Sequence, residues 1–118
     1  MNILIGYERC STCKAIEKQL KAKEIPYQFR EITEDIPSAE ELMAWFKLSG
    51  ENSIKKLMNT SGTLYRENNY KEKLMGLTEM EQLKLVAENG MLIKRPILLT
   101  DTKNVYIGKA VEKYIAQL

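Results

Sequence analysis

The chain has 118 residues, of which 44% are hydrophobic and 29% charged, which is the composition of one ordinary folded domain (residues 1–118) and argues against extensive disorder. Its 18 basic and 16 acidic side chains give a net charge of +2, a total too small to indicate direct nucleic-acid binding. The charges are unevenly spread, because residues 24–51 carry two basic and seven acidic side chains while the last 25 residues are net +3.

No segment of the sequence has the character of a membrane span or a secretion signal. No apolar run approaches the roughly 20 residues that a membrane helix needs. The start of the chain lacks the basic segment of a signal peptide, and its apolar stretch is short. We therefore expect a cytoplasmic protein, in which the two cysteines would not form a permanent structural disulfide.

The start of the chain has the pattern of a β-α-β unit. A continuous apolar run predicts a buried strand over Asn2–Tyr7, and spaced apolar positions from Ser11 to about Lys23 predict a helix. Pro26 cannot continue that helix, and the alternation over Tyr27–Ile32 predicts a second strand. Two strands joined by one helix are expected to be parallel, with a right-handed crossover.

The middle of the chain is predicted to be helical. Capping boxes at residues 38–41 and 78–81 each begin a helix, and these helices are expected to end near Gly50 and at residues 89–90. Two further segments lie between them, a predicted short helix at Ser53–Met58 and an ambiguous stretch at Tyr65–Leu74.

The end of the chain predicts a hairpin followed by a helix. Strands are expected at Pro96–Thr100 and Val105–Ile107, joined by a four-residue turn, with a helix over Lys109–Leu118. The complete order is β-α-β, a helical insertion between strands 2 and 3 at about residues 38–90, and then β-β-α. This is the connectivity of the thioredoxin fold, an α/β fold.

Two cysteines lie where strand 1 gives way to helix 1, in the sequence Cys10-Ser-Thr-Cys13. The free N–H groups at a helix N-terminus favour the thiolate over the thiol. Arg9 and Lys14 add nearby positive charge, which Glu8 opposes. The placement predicts a redox-active pair in which Cys10 attacks and Cys13 resolves the mixed disulfide.

Two other interpretations of the pair remain open. A zinc site needs four ligands, and this chain has no histidine and no second cysteine pair, so only a dimer bridging two pairs could supply them. The cysteines could instead be inert core residues, since free cysteine is often simply buried. The redox interpretation is preferred, and no metal is predicted.

An arginine precedes the proline that begins the third strand. In a thioredoxin-type layout, Pro96 faces the cysteine motif and is expected to be cis, which would bring Arg95 close to Cys10. A guanidinium there could hold a thiolate or an oxyanion substrate. The alternative is that Lys94 and Arg95 are a solvated pair at a strand end.

The segment Asn59–Glu67 contains a glycine with polar neighbours and is predicted to be a loop that enters a helix, a normal place for anion recognition. Arg66 is the candidate anion-binding side chain of this segment. Taken alone, however, Arg66 is expected to be a surface residue paired with Glu67 or Glu72.

The cysteine motif, the Asn59–Glu67 segment and the Leu92–Ile97 segment together resemble the arsenate reductase (ArsC)/Spx family, in particular its small ArsC-related, YffB-like branch. The resemblance extends over the whole chain in order and spacing. In glutaredoxin-dependent arsenate reductases of this family, one cysteine attacks arsenate and three arginines surround it. The resemblance therefore implies that Cys10 is the nucleophile and that Arg66 and Arg95 bind the oxyanion.

The sequence departs from those reductases at two positions. Their third arginine lies in the last hairpin region, where residues 105–108 contain no arginine, and they lack the equivalent of Cys13 and recruit glutathione instead. The resemblance then implies a thiol–disulfide oxidoreductase with a weak arsenate site. It would need no cofactor, and its partner would be a thiol reductant such as glutathione with glutaredoxin, or thioredoxin.

A second function is implied by the same resemblance. Spx-type regulators also have the paired cysteines and the Arg-Pro motif, and they bind the C-terminal domain of the RNA polymerase α subunit. They commonly extend beyond this length with a basic tail, and the Asn59–Glu67 segment is more similar to the reductase-related branch. A redox-sensing transcription regulator is therefore the alternative interpretation.

Overall fold

Four short strands form one mixed sheet in the computed structural model, which describes residues 1–118. The order across the sheet is β2 (Tyr27–Glu31), β1 (Asn2–Gly6), β3 (Ile97–Leu99) and β4 (Val105–Ile107). β1 pairs parallel with β2 and antiparallel with β3, and β3 pairs antiparallel with β4. The predicted parallel pairing of the first two strands is confirmed, and both strands end one residue earlier than predicted.

Six α-helices and two 3₁₀ turns complete the chain. The helices are α1 (Ser11–Ala22), α2 (Ala39–Ser49), α3 (Thr63–Glu67), α4 (Tyr70–Lys73), α5 (Glu79–Val86) and α6 (Lys109–Ala116), and the 3₁₀ turns are Ile54–Leu57 and Gly90–Leu92. The order confirms the thioredoxin-like α/β fold, with α2 to α5 inserted between β2 and β3. No helix of the structure has both the length and the apolar character that crossing a membrane requires.

The two faces of the sheet are covered by different parts of the chain. Alternate strand residues point to opposite faces, so Leu4 and Leu98 lie on one face and Ile5 and Ile97 on the other. The first face packs against apolar side chains of α1 and α6, and the second against the helical insertion. The insertion therefore supplies most of the larger core cluster, including Leu42, Leu57, Leu83 and Leu92.

Both predicted capping boxes are present. Ser38 Oγ accepts a hydrogen bond from the Glu41 N–H, and the Glu41 carboxylate accepts one from the Ser38 N–H, each at 3.1 Å. Thr78 makes the equivalent pair of contacts at the start of α5. Gly50 ends α2 in the left-handed conformation that glycine adopts easily (φ 73°).

Three short segments of the insertion differ from a regular helix. The helix predicted at residues 53–58 is a single 3₁₀ turn, and the ambiguous stretch at residues 65–74 is divided between α3 and α4 by Asn69, whose φ is 57°. The turn Gly90–Leu92 was not predicted. Single turns of this kind have too few apolar positions to show a helical period in the sequence.

The two ends of the insertion meet at Gly90. A Cβ atom at this position would collide with the backbone carbonyl of Ile32, the first residue after β2. Glycine allows the two backbone segments to come this close. The chain therefore returns to the sheet beside the point at which it left.

Candidate active site

The cysteine motif occupies the turn between β1 and α1. The Cys10 N–H donates to the Tyr7 carbonyl at 2.9 Å, and Cys10 has the extended backbone of an N-cap residue, with its own carbonyl accepting from the Lys14 N–H at 3.0 Å. Cys10 is half-buried and Cys13, on the first turn of α1, is buried. Both thiols are free, and each lies close enough to the other to affect its pKa.

The environment of Cys10 favours its thiolate. Burial raises its pKa, but this is outweighed by the N–H of Cys13, the Cys13 thiol, the N–H of Thr12 and the Arg95 guanidinium, so the pKa lies below its ordinary value. The helix N-terminus and the arginine therefore act together on the more exposed sulfur.

The environment of Cys13 has the opposite effect. Burial and the neighbouring Cys10 sulfur together raise the pKa of this thiol to about 12, although the backbone hydrogen bond from Tyr7 and the charge of Arg95 act in the opposite direction. The two cysteines thus differ both in access to solvent and in acidity. A protonated, buried thiol lies next to a partly exposed one that ionises more easily.

Gly6 makes room for the buried thiol. A Cβ atom on this last residue of β1 would lie 2.9 Å from the Cys13 sulfur and 3.3 Å from the Phe29 ring. Side chains in a close-packed interior cannot absorb a contact that short without moving. A glycine at the end of β1 is therefore required for the present position of Cys13.

Arg95 lies beside the cysteine turn, as the sequence predicts. The Arg95–Pro96 peptide bond is cis, which confirms that prediction. The guanidinium carbon lies 5.5 Å from the centroid of the Tyr7 ring, and its single hydrogen bond is a long one (3.5 Å) to the Ile93 carbonyl. Its Nε is buried without a partner, and no carboxylate pairs with the side chain, so its charge is available to an anion.

Glu31 holds the cysteine turn through hydrogen bonds. The sequence did not indicate this role. Its carboxylate accepts hydrogen bonds from the Glu8 N–H at 2.9 Å and the Thr33 N–H at 3.0 Å. Burial raises the pKa of this carboxyl, but these hydrogen bonds and the charge of Arg95 lower it overall. The residue ties the end of β2 to the turn, a contact between strands that a linear pattern does not reveal.

The structure places Arg66 and Arg95 in different clefts. Arg95 lines a cleft of about 510 Å³ with several residues of the Asn59–Glu67 segment, including Asn59, Gly62 and Glu67. Arg66 is exposed in a separate cleft of about 400 Å³, with Lys55 and Lys71. The Asn59–Glu67 segment thus lies beside Arg95, but its own Arg66 lies in the other cleft. Arg66 forms no ion pair with Glu67 or Glu72.

No three histidine, cysteine, aspartate or glutamate side chains lie together in a way that could hold a metal ion. The site thus consists of a dithiol at a helix N-terminus, a free guanidinium and a polar cleft beside it.

The two cysteines lie between β1 and α1 of a thioredoxin-like sheet, and a cis proline precedes β3. This arrangement defines the class of thiol redox proteins that have the thioredoxin-like fold. Within this class the chain belongs to the ArsC family, whose model matches residues 5–116. It is related both to arsenate reductases and to Spx-type regulators.

Individual relatives of known sequence or structure agree with this assignment. The chain is 47% identical over 102 residues to the uncharacterized protein YusI of Bacillus subtilis, covering 86% of this chain and 85% of that protein. It is 30% identical to the regulatory protein MgsR of the same organism, covering 87% and 79% of the two chains. The crystal structure of an ArsC family related protein from Bacteroides fragilis superposes with a TM-score of 0.86 at 40% identity, covering 99% of this chain and 97% of that one.

Proposed function

We propose that the protein is a thiol–disulfide oxidoreductase in which Cys10 and Cys13 act in turn. The difference between the two thiols supports this most directly. Cys10 is partly exposed with a lowered pKa, whereas Cys13 is buried with a raised one. At neutral pH the first sulfur is the better nucleophile and the second remains protonated until it is needed.

The reaction proceeds in two steps. The Cys10 thiolate attacks one sulfur of a substrate disulfide, whose S–S bond breaks, and the other substrate sulfur leaves as a thiolate that takes up a proton. Cys13 then loses its proton and attacks the Cys10 sulfur of the mixed disulfide, which releases the second substrate thiol. Two electrons pass to the substrate, and the protein is left with a Cys10–Cys13 disulfide.

A second thiol must reduce the protein before it can react again. Glutathione with glutaredoxin, or thioredoxin, belongs to the class of reductant that performs this exchange, and the cytoplasm is where such reductants keep thiols reduced. The two sulfurs carry both electrons, so the exchange itself uses no cofactor. Arg95, with no carboxylate partner, stabilises the Cys10 thiolate at the start and end of each cycle.

The test is to identify which thiol reacts first. Mild alkylation of the reduced protein, read by mass spectrometry, should modify Cys10 before Cys13. The Cys13→Ser variant should accumulate mixed disulfides that the parent protein releases, and Cys10→Ser should form none. Preferential labelling of Cys13 would reverse the assignment, and two unreactive thiols would favour an inert buried pair.

A second candidate function follows from the likeness to regulatory proteins. MgsR and a protein named as the global transcriptional regulator Spx 2, from Bacillus anthracis, both match more than four-fifths of this chain. In this alternative, a surface near Gly50 and the first helix binds the C-terminal domain of the RNA polymerase α subunit.

Titration with that domain, carried out on reduced and oxidised protein, discriminates between the two functions. Micromolar or tighter binding that depends on the redox state would favour the regulator. Absence of binding, with disulfide exchange intact, would favour the oxidoreductase.

A further inference from the structure

A further concave surface, which we call the lysine cleft, adjoins the cleft that contains Arg66, since Lys55 and Thr60 line both. It has a volume of about 470 Å³ and a single carboxylate among its lining residues, Glu51. None of its ammonium groups takes part in an ion pair. The five lysines that line it are Lys55, Lys56, Lys94, Lys109 and Lys113.

Three separate parts of the chain are joined by backbone hydrogen bonds to form this surface. The Lys94 N–H donates to the Leu57 carbonyl at 2.7 Å. This bond joins the residues just before β3 to the 3₁₀ turn that carries Lys55 and Lys56. The Gly108 N–H donates to the Pro96 carbonyl at 2.8 Å, which brings the start of α6 to the same place. The lysines are thus gathered by the fold rather than by proximity in sequence.

Gly108 also positions one of the lysine side chains. A Cβ atom at Gly108 would lie 3.1 Å from Cε of Lys94, and the residue has a φ of 61°. The aliphatic stem of Lys94 therefore passes over a position that only glycine leaves open. Its ammonium group is held at the cleft, while those of Lys109 and Lys113 are exposed.

The lysine cleft lies at the same edge of the sheet as the cysteine turn. Ile5, Ile97 and Ile107 are in register across β1, β3 and β4, and neighbouring strands are about 4.8 Å apart. The cysteine turn follows β1 and the cleft begins at the end of β4, so they are separated by roughly two strand spacings, about 10 Å. Lys94 is also the neighbour in sequence of Arg95, whose charge acts on Cys10.

The charge of the cleft favours an anionic partner. Five unpaired ammonium groups in a concave surface repel one another and attract an anion, and such clefts raise the rate of encounter with charged partners. No aromatic side chain lines the cleft, so it lacks the stacking platform with which proteins hold single-stranded nucleic acid. The net charge of +2 is likewise small for a protein that binds nucleic acid by its overall field.

We propose that the lysine cleft binds an acidic segment of a protein substrate and so presents the disulfide beside that segment to Cys10. This inference rests on the proposed function and specifies its substrate class. The segment would be extended and rich in aspartate or glutamate, and it would lie a few residues from the reacting cysteine, since the ends of β1 and β4 are about 10 Å apart, the span of roughly three extended residues.

The test compares two disulfide peptides of equal length, one with acidic and one with uncharged residues three to five positions from the cysteine. Reduced protein should react with the acidic peptide about tenfold faster at low ionic strength, and the advantage should shrink as salt is added. Replacing three cleft lysines (Lys94→Gln, Lys109→Gln and Lys113→Gln) should bring the ratio of the two rates close to one. A control with the same change in net charge, at exposed lysines outside the cleft (Lys18→Gln, Lys47→Gln and Lys84→Gln), should keep the ratio.

Each outcome has a distinct meaning. Equal rates for the two peptides, or a preference that survives loss of the cleft lysines, would overturn the inference and leave the oxidoreductase intact. Failure of the parent protein to react with either peptide would overturn the proposed function itself. A labelled single-stranded oligonucleotide that binds the cleft more tightly than the acidic peptide, and is lost in the cleft variant, would assign the surface to nucleic acid instead.

Discussion

A charge from a distant part of the chain adds to the backbone N–H groups of Cys13 and Thr12 in lowering the pKa of Cys10. Arg95 lowers the pKa of Cys10, so we expect Arg95→Ala to raise that pKa and slow alkylation at neutral pH. A partly solvated charge contact of this kind contributes about 0.2–1 kcal/mol, which corresponds to roughly a 1.5- to 5-fold loss in rate. The measurement is the rate of iodoacetamide labelling from pH 5 to 10.

A matched control separates this effect from a change in overall charge. Arg9 is adjacent in sequence but exposed, and Arg9→Ala removes the same charge. The sequence suggests that Arg9 favours the Cys10 thiolate, but in the structure Arg95, and not Arg9, is among the groups that lower the Cys10 pKa, so we expect the labelling profile of Arg9→Ala to follow that of the parent protein. A larger shift for Arg9→Ala than for Arg95→Ala would contradict the structural position of Arg95.

Gly6 is expected to be intolerant of even one methyl group. Gly6→Ala would place a carbon 2.9 Å from the Cys13 sulfur, and forced overpacking of this kind costs about 1–3 kcal/mol. Denaturant unfolding should show this loss, and Cys13 should become more accessible to alkylation. If the contact with the sulfur is the cause, the same substitution in a Cys13→Ala background should cost less.

A sequence pattern predicts the positions of the two sulfurs better than those of the groups around them. The strand before Cys10 and the helix after it have clear periodicities, so the cysteine turn could be placed from the sequence. Glu31 and Gly6 act across strands, and their roles depend on register. Arg66 and Arg95 were predicted together by resemblance, yet the direction of a loop side chain depends on packing, and the structure places them in separate clefts.

The start of α2 is fastened to β2 by an ion pair. Arg30 donates to the two Glu41 oxygens at 2.8 and 3.0 Å, and this bidentate contact, with burial opposing it, lowers the pKa of Glu41. A carboxyl with a lowered pKa stabilises the fold above its unfolded pKa of about 4.3, and the contribution disappears as the pH falls through the folded value.

We therefore expect Glu41→Gln to cost stability at pH 7 and little at pH 2.5. Because the Glu41 side chain is 41% exposed, solvent screening reduces the cost at pH 7 to about 0.5–1 kcal/mol. Urea unfolding of both proteins at the two pH values measures the difference. An equal loss of stability at both pH values would show that the contact between Arg30 and Glu41 stabilises the protein through packing and not through charge.

Gly90 is the position at which the insertion is most sensitive to substitution. Gly90→Ala would drive a Cβ atom into the Ile32 carbonyl, and because the obstacle is backbone it cannot rotate away. We expect a loss of about 3 kcal/mol or more in the free energy of unfolding. Gly76→Ala is the comparison, since a Cβ atom there meets nothing within 4 Å although its φ is 80°. A smaller loss of unfolding free energy for Gly90→Ala than for Gly76→Ala would show that the backbone at Gly90 and Ile32 can move apart to accommodate the methyl group.

For helices, strands and turns, the sequence predicts features that neighbouring residues determine. It does not predict features that depend on contacts between distant segments. Both capping boxes, the glycine at the end of α2 and the final hairpin were placed correctly because each signal lies within a few residues of the structure it produces. The turn at Gly90–Leu92, which bonds to Asn59, and the contact of Gly90 with Ile32 depend on neighbours far along the chain. No periodicity in the sequence encodes them.

The molecule as a whole is expected to be a poor arsenate reductase despite its family. Loss of one donor to a developing oxyanion costs about 2.7–4 kcal/mol, or roughly 10²–10³ in rate. No arginine lies near the end of β4, Lys109 belongs to the lysine cleft, and Arg66 lies apart from Arg95. With glutathione and glutaredoxin supplied, arsenate turnover should be weak or absent, while exchange with a small neutral disulfide should be measurable. Robust turnover that needs Cys10, Arg66 and Arg95 but not Cys13 would restore arsenate as the substrate.

The close approach of Gly90 to Ile32 has a consequence for how such a chain can diversify. The polypeptide makes an excursion that closes on itself, so residues gained or lost in the loops that join its helices need not shift any strand, and lengthening such a loop costs little entropy. The turn after β1 and α1 carry the reacting sulfurs, whereas the excursion carries the Asn59–Glu67 segment and two of the five cleft lysines. Substitutions within the excursion can therefore change the cleft beside Arg95 and two of the cleft lysines, while both cysteines and the other three cleft lysines keep their places.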